Sequence, residues 1–270
     1  MKIAKIWDAV KDYPVVKLLL KFNENAKLYL ISYLYRVEMQ KAIDEKNGDM
    51  LYLISIPEEY LIGVCETLIR LFSILELVEA GYSSTDFKTF LFGENVKLVD
   101  SNISVEEIIN NFNKHIADTW KKENILQELM EYDKNILVFL NEYLYAKSKG
   151  IPFDFTDNVN VEHIMPASGH NLEAIRKDAG IESKDEFDDI VNLLGNKILL
   201  EENINKSIGK EWFETKKRTS VKEKTGYKDS KFGIALSLAD YPSKKWEKKD
   251  IEMATTKVAN RIVKFIFNEE

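Results

Sequence analysis

The chain has 270 residues, 45% of them hydrophobic and 31% charged, with few glycines and prolines; this fits one large or two modest domains with real cores and excludes a disordered chain. The single cysteine, Cys65, excludes an internal disulfide and a cysteine-based zinc site and fits a reducing compartment. A net charge of −7 taken alone counts against nucleic acid as a partner.

The N-terminal stretch MKIAKIWDAVKDYP lacks the basic region, apolar core and small-residue cleavage site of a signal peptide. The most apolar run, YLIGVCETLIRLFSILELV, is interrupted by Glu66, Arg70 and Glu76, which argues against a membrane span, so the chain reads as cytoplasmic. Residues 1–150 read as a helical domain. In PVVKLLLKFNENAKLYLISYLYRVEMQKAI the positions Leu19, Phe22, Ala26, Tyr29, Leu30, Tyr33, Leu34 and Val37 recur at three- and four-residue spacing, the pattern of one buried helix face. Ser55 with Glu58, and Ser104 with Glu107, have the spacing of capping boxes at helix starts. A further helix is expected over ILQELMEYDKNILVFLNEYLYAKS, ended by Gly150 and Pro152.

The texture changes at GIPFDFTDNVNVEHIMP, which is rich in Asp and Asn and has β-branched alternation, so a domain boundary is expected near residue 150. Ser183 and Glu186 mark another helix start, and GNKILLEE reads as a turn leading into a short strand. NINKSIGKEWFETKKRTSV reads as a basic helical stretch, and the tail from about Ser237 through Trp246 to Phe267 as amphipathic helix. From Lys206 to Lys231 the positive residues Lys206, Lys210, Lys216, Lys217, Arg218, Lys222, Lys224, Lys228 and Lys231 outnumber Glu211, Glu214, Glu223 and Asp229. Such a run is either a solvated helix face or a phosphate-contacting patch.

Two of the three histidines, His163 and His170, fall in VNVEHIMPASGHN. A zinc site would need further nitrogen or sulfur ligands, and no GxSxG elbow offers a nucleophile. Packing is the ordinary role of a lone histidine. The chemical alternative is an oxygen-ligated divalent cation beside a neutral imidazole that deprotonates water. The sequence offers Glu162 and His163 on a first strand, Asn196 at the turn into a second, and Asn205 at the start of the following helix.

The blocks EHIMPAS, GNKILL and NINKSIGKEWFETKK, in that order, resemble the HNH (His-Me finger, ββα-metal) endonucleases. More closely, they resemble the C-terminal nuclease domain of GmrSD-type modification-dependent restriction enzymes, whose pattern runs E/D-H-I-x-P, G-N-hydrophobic-x-L-L, Asn, F-x-x-K. Asn205 lies nine residues after Asn196, and Phe213 and Lys216 have the F-x-x-K spacing; the motif-bearing match spans about residues 158–232. Ile208, Gly209 and Lys210 stand where many relatives carry a further Asn, and Glu162 where many carry Asp.

The resemblance implies a mostly α chain: a helical domain at 1–150, a ββα-metal nuclease domain at 151–235 and a helical tail at 236–270. It implies His163 as general base, Asn196 as the residue that fixes the loop and orients the histidine, and Glu162 and Asn205 as ligands of Mg2+ or Mn2+. Lys206 and Lys216 or Lys217 would contact phosphate. Neighbouring side chains on a regular strand face opposite ways, so Glu162 and His163 share a site only at a bulge or a strand end. The implied function is metal-dependent DNA endonuclease in a restriction or phage-defence system, with modified phage DNA as substrate. The D-G-Q-Q-R-like signature of the nucleotide-dependent sensor of such systems does not occur in these residues, so a sensor is expected on another subunit or domain. The alternative is a catalytically silent DNA- or protein-binding module that keeps the fold.

Overall fold

The computed structural model describes residues 2–44, 58–78, 84–100, 103–155, 158–217 and 225–269. The described residues are mostly helical, with one two-stranded sheet, and no helix among them is long and apolar enough to cross a membrane. They group into two units, Met1–Ile125 with Phe265–Glu270, and Leu126–Lys264.

The first unit contains α1 (Lys2–Val10), α2 (Pro14–Phe22), α3 (Ala26–Asp44), α4 (Glu58–Leu77), α5 (Ser84–Lys97) and α6 (Val105–Thr119). The single helix face expected from Leu19 to Val37 is divided between α2 and α3. Asn23 is extended and its side-chain oxygen accepts from the Asn25 amide at 2.9 Å, so a local Asx turn replaces the helical hydrogen bond. The apolar positions still meet in one core, where Tyr29 sets its ring edge-on to Phe112 at 5.3 Å. Around α4, buried Leu, Ile and Val side chains occur on all sides, and Glu66 survives there beside Arg70 at 3.9 Å. Ser104 caps α6 by accepting from the Glu107 amide at 3.0 Å, as its spacing predicts. Ser55 lies outside the described residues.

The division falls within α7 (Lys122–Glu131), upstream of the expected boundary near residue 150. The reason lies in α8 (Ile136–Lys149), in which every residue from Leu137 to Leu144 is buried. A helix apolar on one face could have closed the first unit; one buried all round must be enclosed. It packs on the sheet and on α13 (Gly233–Ala239), and it ends at Gly150, whose φ of 63° takes the left-handed cap.

The sheet pairs β1 (Val159–His163) antiparallel with β2 (Lys197–Glu201) in the register Val159 to Glu201 through His163 to Lys197. Between the strands run α9 (Leu172–Asp178) and α10 (Lys184–Val191), the latter capped by Ser183 accepting from the Glu186 amide at 3.0 Å. The basic stretch after β2 forms two short helices, α11 (Glu202–Ile208) and α12 (Phe213–Lys217), parted at Gly209, which has φ of 53°. Ile204 and Ile208, one turn apart on α11, are buried, and α11 packs on both strands. The tail is α13, a loop and α14 (Lys248–Ile266).

Candidate active site

The geometry begins at the turn into β2. Gly195 comes so close to Ile251 and Thr255 of α14 that a Cβ would collide with their backbone, and its amide donates to Thr255 Oγ1 at 3.1 Å. The glycine is therefore required by close approach rather than by turn conformation. Asn196, fully buried, accepts from the Met165 amide at 2.8 Å and donates to the carbonyls of Met165 at 2.9 Å and Val191 at 2.8 Å. Its own carbonyl accepts from the Ile164 amide at 2.9 Å. One side chain thus joins the end of β1, the end of α10 and the start of β2, and the chain after His163 has one path available.

His163 is the last residue of β1 and is half-buried. Its Nε2 lies 3.0 Å from Asn192 Oδ1 at the C-terminus of α10. With the asparagine oxygen toward the ring, Nε2 carries the proton and Nδ1 is the basic atom. Burial holds the imidazole below its ordinary pKa, the Asn192 bond opposes this, and the charges of Lys197 and Lys216 add to the lowering. The ring is therefore neutral at neutral pH, the state a proton acceptor needs.

Glu162 is only 7% exposed, and its carboxylate accepts from Lys216 Nζ. Lys216 is 1% exposed; it also donates to the carbonyls of His163 at 2.7 Å and Ile164 at 3.2 Å. Burial raises the Glu162 carboxyl and lowers the Lys216 ammonium, and each charge works against the other's shift. The fully buried Tyr227 faces the same carboxylate without a hydrogen bond of normal geometry; burial, then the charge of Glu162, raises its hydroxyl pKa well above the usual value. Strand alternation gives Glu162 the face of β1 opposite His163. The structure does not bring the two together as co-residents of one cation site.

Two of the three lysines expected at phosphate, Lys216 and Lys217, are buried. Lys217, 2% exposed, donates to the carbonyls of Tyr241 at 2.6 Å and Ser243 at 2.9 Å. Both α12 lysines point inward and fasten main chain, Lys216 at the end of β1 and Lys217 in the loop before α14, so neither is available to a surface phosphate. Lys206 is exposed and pairs with Glu202 at 2.5 Å, one turn back on α11; Lys210 is exposed and donates to Ser168 Oγ at 2.6 Å. Arg218, Lys222 and Lys224 lie outside the described residues. Asn205 is half-buried on α11, and its side chain has no hydrogen-bond partner among the described residues. Two residues of the arrangement went unmarked in the sequence, Asn192 and Tyr227. The signal for Asn192 was its place four residues before Asn196, at the end of a capped helix.

Comparison with known proteins adds the family. The family model described as GmrSD restriction endonucleases, C-terminal domain, matches residues 106–261, more than half of the chain, and so takes in helices on both sides of the β1–β2 site. No curated protein matches the chain.

Proposed function

Because the chain belongs to the family of GmrSD restriction endonuclease C-terminal domains, a restriction-type nuclease family with DNA as its substrate, we propose that it hydrolyses phosphodiester bonds with His163 as general base. The observation that carries this reading is the state of His163: a half-buried, neutral imidazole at a strand end, held at Nε2 by Asn192 and backed by the Asn196 clamp. In this reading water attacks phosphorus as its proton passes to Nδ1, and the bond to the leaving oxygen breaks with its electron pair on that oxygen. Lys216 holds the main chain at His163 and Ile164 and Asn196 holds it at Met165, so the ring is positioned before substrate arrives.

Nucleases of this kind generally use divalent metals. Among the described residues no three His, Cys, Asp or Glu side chains cluster to hold an ion, Glu162 is engaged by Lys216, and Asn205 is the expected ligand left with a free oxygen. This donor set does not fit a resident ion shared by Glu162 and Asn205. A dependence on Mg2+ or Mn2+, the choice of modified phage DNA and a nucleotide-dependent sensor partner remain parts of the proposal, supported by the family. The engaged state of Glu162 favours one rival, a silent DNA-binding module. Plasmid nicking in Mg2+ or Mn2+ separates the two. Native protein is expected to nick and to stop on addition of EDTA, while His163→Ala falls by about 10²–10⁴. Binding without nicking would support the silent module, and native-rate nicking by His163→Ala would remove the base assignment.

A further inference from the structure

The second unit contains a cleft of about 350 Å3 between α8, α13, α14 and the start of β2. Its lining carries the cations Lys257 and Arg261, beside Lys197, whose buried ammonium is turned to the carbonyls of Asp133 and Lys134, and no carboxylate among the described residues. In a chain of net charge −7 that imbalance is local and calls for a cause. Lys257 is exposed and has no ion pair among the described residues. Arg261 is half-buried, donates to Asn141 Oδ1 and lies over the Tyr145 ring at 5.3 Å, with no carboxylate in ion-pair distance among the described residues. The carboxylate whose field reaches it, Glu142, accepts from the Gly233 amide at 2.6 Å, and burial pushes it up to about 7, so only part of its negative charge is present at neutral pH.

The walls are apolar, formed by Ile164, Ile198, Leu238 and Val258 with the rings of Tyr145, Tyr241 and Trp246. Trp246 is buried, and its indole N–H, sealed from solvent, has no hydrogen-bond partner among the described residues. Uncompensated cations at an apolar, ring-lined cleft match a planar ring that bears an anion. The volume lies near the lower end of the roughly 300–1,000 Å3 typical of ligand sites.

We propose that this cleft binds a single nucleotide, with its base against the rings and apolar wall and its phosphate at Lys257 and Arg261. The choice of ligand rests on the nuclease reading; the charge and shape of the cleft do not. The same chemistry is supplied by a free mononucleotide or by one nucleotide unit of a strand.

The test is calorimetric titration of the full chain in EDTA with deoxyadenosine 5′-monophosphate, with deoxyadenosine, and with a short single-stranded oligonucleotide. The monophosphate is expected to bind at least tenfold more tightly than the nucleoside. Lys257→Met, at an exposed position with no ion pair among the described residues, is expected to weaken the monophosphate about fivefold, equivalent to about 1 kcal/mol, and to leave the nucleoside unchanged. Arg261→Met is expected to weaken it more, and Trp246→Leu, which removes a ring from the wall, to weaken both ligands. Mutual competition between monophosphate and oligonucleotide would identify a strand unit as the natural occupant; simultaneous binding would identify the free mononucleotide. Equal affinity for nucleoside and monophosphate, or no change in Lys257→Met, overturns the proposal. Because no cleavage is needed, monophosphate binding without nicking would sink the nuclease reading alone, and nicking without binding would sink the cleft alone.

Discussion

On one face of β1, Glu162 is 7% exposed and its carboxylate is held by a lysine with 1% exposure; one residue along, on the other face, His163 is half-buried and its ring is bonded through Nε2 to an exposed asparagine. The same five-residue strand therefore carries two polar side chains under opposite regimes. Lys216 neutralises Glu162 and uses its other protons on the carbonyls of His163 and Ile164, so the buried pair acts on the main chain. His163 keeps a basic nitrogen. The difference teaches that, in adjacent positions of a short motif, one residue can supply the chemistry and the other the rigidity that aims it.

The largest effect is expected from breaking the buried face. Lys216→Met leaves a buried carboxylate without its cation and should cost about 3–5 kcal/mol in urea unfolding, while Glu162→Gln together with Lys216→Met should recover most of that loss. A single variant as stable as native would show that the pair is not a strut. Next comes the clamp shared by both faces. Asn196→Ala leaves the Met165 amide and two carbonyls without their side-chain partner and should cost about 1–3 kcal/mol, with amide exchange accelerated at Ile164 and Met165.

The smallest stability effect belongs to the open face. Asn192→Ala should cost at most about 1 kcal/mol, since Asn192 is exposed. Its signature is in titration. The folded His163 has a pKa below the ordinary value, so its protonation opposes folding, and its contribution to stability is present above the ordinary pKa and lost as the pH falls through it toward the folded value. The Asn192 bond opposes that lowering, so Asn192→Ala should move the His163 proton resonance titration further down. An upward move would contradict the assigned hydrogen bond.

Much of this was legible because short-range chemistry fixed it. The caps at Ser104 and Ser183, the stop at Gly150, and the turn and strand of GNKILL are decisions taken within a few residues. Lys216 and Lys217 were misread as surface for a sound reason: lysine is almost never fully buried unless paired, and the partners of Lys216 lie more than fifty residues back in the chain. The grouping of α8 with the second unit was not legible, because its all-round burial reflects what surrounds it, not its own pattern. Asn192 went unmarked because an asparagine at the end of a helix needs no further explanation.

Plasmid nicking in Mg2+ by three proteins, native, His163→Ala and the Glu162→Gln, Lys216→Met double variant, tests the division of labour along β1 most directly. The account predicts that His163→Ala loses about 10²–10⁴ in rate while the folded double variant keeps most of its activity. A folded double variant as inactive as His163→Ala, beside a native chain that nicks, would make Glu162 part of the chemistry and contradict it.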